Sequence, residues 1–95
     1  MTVTVKEDSF TPQVYSFDPP LLTISPGTSV KWVNTGTLYH TVTMKAATSG
    51  DAFNVGLEPG ESFTYTFTKA GAVLYHCIPH ELPQNGNMRG GVVIA

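Results

Sequence analysis

Hydrophobic and polar residues alternate in short stretches along this chain, a pattern typical of β-strands with one buried face. In the clearest stretch, residues 63–68, Phe or Tyr at every second position alternates with Thr. This alternation predicts a strand whose aromatic side chains point inward and whose hydroxyls face water. Residues 30–34 predict a second such strand, in which Trp32 and Asn34 share a face with Val30 while Lys31 lies on the other.

Further Val-, Thr- and aromatic-rich stretches are separated by Pro and Gly turns, and no long helical pattern competes with them. The strands that we predict here cover residues 3–5, 21–24, 40–44, 73–77 and 92–94. Pro26-Gly27 and residues 58–61 are suited to tight turns, the first with a positive φ at the glycine. We therefore expect an all-β sandwich of about seven to eight strands, forming a single domain over residues 1–95.

Composition excludes several functions. Only 13% of the 95 residues are charged and the formal net charge is −2, so no basic surface exists to attract nucleic acid. No apolar run approaches the roughly 20 residues that span a bilayer, and the first residues lack a secretory pattern. We expect no membrane insertion of this chain, with any export signal or anchor absent from the stretch given.

Four residues carry the chemistry that distinguishes this chain. Cys77 and His80 lie three positions apart, Met88 follows, and His40 lies far upstream. Because Cys77 is the only cysteine, an internal disulfide is excluded. A thiolate, two imidazoles and a thioether are the ligands of a copper site with a trigonal plane and a weak axial contact. Residue types alone leave zinc open as an alternative metal.

The predicted strands explain how distant residues meet. Cys77 falls at the end of one strand, His80 returns after a loop stiffened by Pro79, and His40 begins another strand. Two strand ends at one pole of a sandwich would therefore form the site. His76 points away from Cys77 on the alternating strand, which indicates a surface histidine, with an electron-relay role as the alternative.

Several ordered motifs resemble the cupredoxins, the blue copper proteins that include plastocyanin, pseudoazurin and amicyanin. These motifs are the Cys-x-Pro-His step from Cys77 to His80, residues 30–34 followed by His40, and Met88 ahead of a glycine-bearing strand. The resemblance covers nearly the whole chain. It implies a Greek-key β-sandwich with one type 1 copper, whose equatorial ligands are His40, Cys77 and His80 and whose axial ligand is Met88. It also implies a one-electron carrier.

Two departures from that family leave alternatives open. Seven residues, 81–87, separate His80 from Met88, so the axial ligand is either Met88 or water, with Glu81 as a further candidate. An open axial position would admit a small molecule such as nitric oxide or nitrite, which leaves open whether the protein is an enzyme. Thr41 stands where the family usually has an Asn that braces the cysteine loop. A copper store is a third function, but only three Met are present.

The resemblance also predicts a docking surface. Leu38, Ile78, Leu82 and Pro83 would surround the edge of His80 and receive a redox partner protein such as a cytochrome or an oxidase. We expect a monomer that works outside the cytoplasm, in the periplasm, in a lumen or at the outer face of the cell membrane.

Overall fold

The computed structural model describes residues 1–7, 15–80 and 88–95. For His80 it describes the backbone only. Those residues form nine strands and one turn of 3₁₀ helix at Ile78–His80. The strands are β1 (Thr2–Glu7), β2 (Tyr15–Asp18), β3 (Leu21–Ile24), β4 (Thr28–Asn34), β5 (His40–Ala47), β6 (Asn54–Leu57), β7 (Ser62–Phe67), β8 (Gly71–His76) and β9 (Arg89–Ile94). The predicted all-β class is confirmed. No helix in the described ranges is long and apolar enough to cross a membrane.

The strands form two sheets that enclose one core. One sheet has the order β2-β1-β4-β7, and the other has the order β3-β9-β8-β5-β6. β1 pairs with β4 in parallel and β3 pairs with β9 in parallel, while the remaining pairs are antiparallel. The connection from β4 to β5 therefore crosses from the first sheet to the second, and this crossing places β5, which begins at His40, between β6 and β8.

Alternation along the strands builds the core. Val30, Trp32 and Asn34 are buried on one face of β4, and Lys31 on the other face is exposed, as predicted. Along β7 the aromatic residues are more buried than the exposed Ser and Thr between them. The fully buried ring of Trp32 packs edge-on against Tyr75 of the opposite sheet, with 5.4 Å between ring centroids. Burial of such aromatic surface from both sheets is the main favourable contribution to folding.

The structure has two more strands than the seven stretches marked out by alternation. β2 and β6 contain only four residues each and include Ser and Asp or Asn and Gly, whereas the equally short β3 has three aliphatic residues that mark it in the sequence. The predicted turns are confirmed: φ is 92° at Gly27 and 85° at Gly60. Both glycines supply the left-handed conformation that other residues adopt at a cost.

One pole of the sandwich collects the ends of several strands. β5 begins there at His40, β8 ends there at His76, and β9 begins there at Arg89, opposite His76. β1 ends at Glu7, and because it runs parallel to β4 its end lies beside the segment that follows Asn34. The fold therefore brings Glu7, residues 35–40 and Cys77 together, although they are distant in sequence.

Candidate metal centre

The segment before His40 is held by the buried side chain of Asn34. Its Oδ1 accepts a hydrogen bond from the Gly36 amide at 2.9 Å, which makes an Asx turn directly after β4. Its Nδ2 donates to the carbonyl oxygens of Leu38 and Leu57, at 2.8 and 2.9 Å. One amide side chain thus fixes the segment that delivers His40 and ties it to β6.

Glu7 holds the same segment from the other side. Its Oε2 accepts hydrogen bonds from the amides of Thr37 and Leu38, at 3.0 and 2.9 Å, and its Oε1 accepts one from the Thr37 hydroxyl at 3.0 Å. The side chain is 8% exposed. A Cβ added at Gly36 would overlap the carboxylate, so glycine at this position permits the close approach.

The fourth partner of the Glu7 carboxylate is His40, whose Nε2 lies 3.0 Å from Oε2. Burial raises the pKa of Glu7, but the hydrogen bonds from His40, Thr37 and Leu38 outweigh it and lower the pKa to about 2. An ionised carboxylate only accepts hydrogen bonds, so Nε2 of His40 carries a proton and donates it. In the neutral imidazole the lone pair is then on Nδ1.

Nδ1 of His40 faces the sulfur of Cys77. The two atoms are 3.7 Å apart, and both residues are fully buried. Metal bonds of about 2.0 Å to imidazole nitrogen and about 2.3 Å to thiolate sulfur would together span up to about 4.3 Å. A single ion can therefore bond both atoms at their present separation. A soft sulfur donor beside an imidazole suits copper.

Thr41 organises the cysteine from the neighbouring strand. Its amide donates a hydrogen bond to Sγ of Cys77 at 3.3 Å, an interaction that favours the thiolate. Its hydroxyl oxygen accepts a hydrogen bond from the amide of Ile78 at 2.9 Å and lies 3.0 Å from the hydroxyl of Thr43. The hydroxyl thus bonds the segment after the cysteine, where we expected a brace.

Met88 and His80 complete the predicted set. Met88 is 1% exposed, and its carbonyl oxygen accepts a hydrogen bond from the Cys77 amide at 3.1 Å, which places the two residues side by side. His80 ends the 3₁₀ helix, but its side chain is outside the described atoms. Among the side chains that are described, no three His, Cys, Asp or Glu form a group able to hold a metal ion. The pair that the structure brings together is His40 and Cys77.

Several predicted residues lie outside the described ranges, namely Glu81, Leu82 and Pro83. Of the predicted docking surface, Leu38 is 40% exposed and Ile78 is 55% exposed. Tyr39, which the sequence analysis missed, is 47% exposed, and its ring lies over Gly56, where a Cβ would overlap it. Half-buried His76 lies beside Cys77, on the face of β8 opposite Tyr75.

The sequence analysis also missed Glu7. Its contact with His40 depends on the parallel pairing of β1 with β4, and 33 residues separate the two side chains. No local motif marks such a contact. The signal that was available is weaker: an acidic residue at the end of a strand next to a glycine-containing turn.

Comparison with relatives identifies the kind of protein that has this arrangement. The family model described as copper binding proteins of the plastocyanin/azurin family matches residues 3–95. Amicyanin of Paracoccus denitrificans is 34% identical over 80 residues, which cover 82% of this chain and 57% of that protein. Plastocyanin of Scenedesmus fuscus is 30% identical over 89 residues, covering 82% of this chain and 85% of that protein. The chain thus spans little more than half the length of the first of these relatives.

The fold agrees with this assignment. The crystal structure of amicyanin from Paracoccus versutus superimposes with a TM-score of 0.72 and 27% sequence identity, covering 100% of this chain and 80% of that one. The cupredoxin fold expected from the resemblance is therefore confirmed. Family model, relatives and fold lead to one conclusion: this chain belongs to the plastocyanin/azurin family of copper binding proteins.

Proposed function

We propose that this protein is a one-electron carrier whose single type 1 copper is bound by His40, Cys77 and His80, with Met88 as the axial ligand. The observation that carries the proposal is the pairing of Nδ1 of His40 with Sγ of Cys77, 3.7 Å apart and fully buried. Copper supplies a Cu(I)/Cu(II) couple when bound. The residues around it hold its ligands in place and keep water away.

Rigid positioning of the ligands supports electron transfer over substrate chemistry. The Glu7 carboxylate fixes the ring of His40, and the Thr41 amide and the Met88 carbonyl fix Cys77. These hydrogen bonds come from the protein itself, so they hold the proposed ligands in one geometry. A coordination held constant by the protein suits both oxidation states.

Burial of Met88 supports it as the axial ligand. The residue is almost fully enclosed and its backbone is bonded to that of Cys77, which supports a position beside the site despite the seven residues that separate it from His80. A buried thioether next to Cys77 would occupy the axial position in place of a small molecule. This arrangement favours the carrier over a copper enzyme that acts on nitric oxide or nitrite.

The exposed surface beside the site supports electron exchange with a protein. Leu38 lies two residues before His40, and Ile78 directly follows Cys77, so both lie next to the proposed ligands. We propose that these two residues and Tyr39 contribute to an apolar surface, which we call the docking surface, and that Leu82 and Pro83 extend it. Small apolar contacts suit a brief encounter with a redox protein such as a cytochrome or an oxidase.

We further propose that residues 1–95 act as one domain, as a monomer outside the cytoplasm. One core joins the two sheets, which supports a single folding unit. Plastocyanin of Tetradesmus obliquus, 34% identical over 86 residues, is named as chloroplastic, which supports a location outside the cytosol. The periplasm, a lumen and the outer face of the cell membrane are the compartments we propose.

Voltammetry on the copper-titrated protein tests the carrier function. We expect uptake of one copper per chain and one reversible one-electron wave. Cys77→Ser should abolish the wave, because the thiolate is lost. His76→Asn, at the adjacent position on the outer face of β8, serves as the matched control. It should retain both the uptake of one copper and the reversible wave. Uptake of several coppers would indicate a store, and an irreversible wave would contradict a carrier.

A further inference from the structure

We propose that Glu7 is a positioning residue that lowers the reduction potential of the copper site, acting through its hydrogen bond to His40. This inference rests on the proposed function, since it assigns His40 as a copper ligand. It concerns a residue outside the proposed ligand set, supplied by a strand of the other sheet.

Glu7 is held in place by the segment before His40, and it in turn holds His40. Within the described part of the chain, four partners of the carboxylate lie in residues 37–40: two amides, one hydroxyl and the imidazole. The three hydrogen bonds from Thr37 and Leu38 fix the carboxylate independently of the metal. Oε2 then fixes the ring orientation of His40 through Nε2, at 3.0 Å.

Glu7 also determines which nitrogen of His40 is free to bind a metal. A carboxylate that accepts the Nε2 proton selects the tautomer with its lone pair on Nδ1, the atom 3.7 Å from Sγ of Cys77. The carboxylate partner also makes the imidazole a stronger base and hence a stronger ligand.

Glu7 also contributes a negative charge next to His40. Glu7 places a negative charge behind a fully buried imidazole, with its own side chain only 8% exposed, so solvent screens the charge weakly. A negative charge stabilises Cu(II) more than Cu(I). Removing it should therefore weaken Cu(II) binding more than Cu(I) binding and raise the reduction potential.

Glu7→Gln tests this proposal, because the amide retains the size of the side chain and loses the charge. We expect Cu(II) affinity to fall by roughly tenfold to a hundredfold, the usual effect of removing such a partner. If Cu(I) affinity changes little, each tenfold loss raises the potential by about 59 mV. Asp18→Asn is the matched control: it removes one negative charge from the neighbouring strand β2, at a side chain that is 57% exposed and paired with Lys6. Asp18→Asn should leave the Cu(II) affinity and the reduction potential within error of the wild-type values.

Imidazole ¹⁵N shifts of the metal-free wild type provide a readout that does not depend on copper or on the variant folding. We expect the Nε2–H form of His40; an Nδ1–H form would overturn the proposal. A potential for Glu7→Gln equal to that of Asp18→Asn would also overturn it. If the wild type binds no copper while His40 shows the Nε2–H form, the carrier function fails. The effect of Glu7 on the reduction potential is then overturned too, whereas the positioning of His40 by Glu7 is supported.

Discussion

The amide of Thr41 donates a hydrogen bond to the sulfur of Cys77 at 3.3 Å, and the Thr41 hydroxyl accepts one from the amide of Ile78. One residue of β5 thus bonds both the proposed thiolate ligand and the backbone that follows it. The Thr41 hydroxyl thus provides the brace for the cysteine segment that was expected at this position.

Thr41→Val should destabilise the protein, because Val has the shape of Thr without the hydroxyl. The Ile78 amide would lose its acceptor, at a cost of about 1–3 kcal/mol for a partly buried donor. Urea unfolding of the metal-free protein measures this loss. Thr41→Ser retains the hydroxyl and should recover part of the lost free energy. Equal stability of the Val and Ser variants would show that the hydroxyl contributes nothing.

Ile78→Glu should slow electron exchange with the partner protein and leave the visible spectrum of the copper form unchanged. The new charge would lie on the docking surface, beside the cysteine but outside the proposed ligand set. Leu74→Glu is the matched control, since Leu74 is exposed to nearly the same extent, 54% against 55%, on the outer face of β8. Stopped-flow rates with a purified redox partner measure the effect. Equal rates for the two variants would remove the docking surface from the account.

Lowering the pH should decrease the free energy of unfolding of the metal-free protein, because Glu7 becomes protonated. Its pKa is about 2 in the folded chain and 4.5 ordinarily, so the ionised form contributes stability above about pH 4.5. That contribution is lost as the pH falls from 4.5 toward 2. We expect the wild type to lose on the order of 2–3 kcal/mol more than Glu7→Gln over this range. Urea unfolding at a series of pH values measures the difference, and parallel curves would contradict it.

Gly90→Ala should destabilise the fold far more than Gly91→Ala. A Cβ at Gly90 would overlap the ring of Tyr75, which is fixed in the core, at a cost of about 1–3 kcal/mol. A Cβ at Gly91 would lie 3.3 Å from the side-chain ends of Leu21 and Leu74, both of which are exposed and able to move. Thermal unfolding compares the two variants. A larger loss at Gly91 would mean that Tyr75 does not occupy this position.

Much of the fold was predictable because it follows from local patterns. Alternation in residues 63–68 indicated β7, and the Pro-Gly pair at Gly27 indicated the turn before β4. The short strands β2 and β6 were missed because their four residues include Ser and Asp or Asn and Gly, which weaken the strand pattern. For such segments, pairing with longer neighbours decides the conformation.

At the candidate metal centre, too, one contact was predictable from the sequence and another was not. The pairing of His40 with Cys77 was predictable, because the residue types and their places at strand ends both pointed to it. Glu7 was not, because its contact arises from the pairing of β1 with β4 and from the space left by Gly36. Both contacts span more than 30 residues, but only the first is marked by residue types that share one chemistry.

The visible and electron paramagnetic resonance spectra of the Cu(II)-loaded protein, recorded with and without azide, test the central claim most directly. The account predicts a dominant thiolate-to-copper band in the orange-red, assigned to Cys77 and unaffected by azide, because Met88 closes the axial position. A strong additional band toward the violet that shifts with azide would contradict it. That result would mean an open axial position and a copper centre accessible to small molecules.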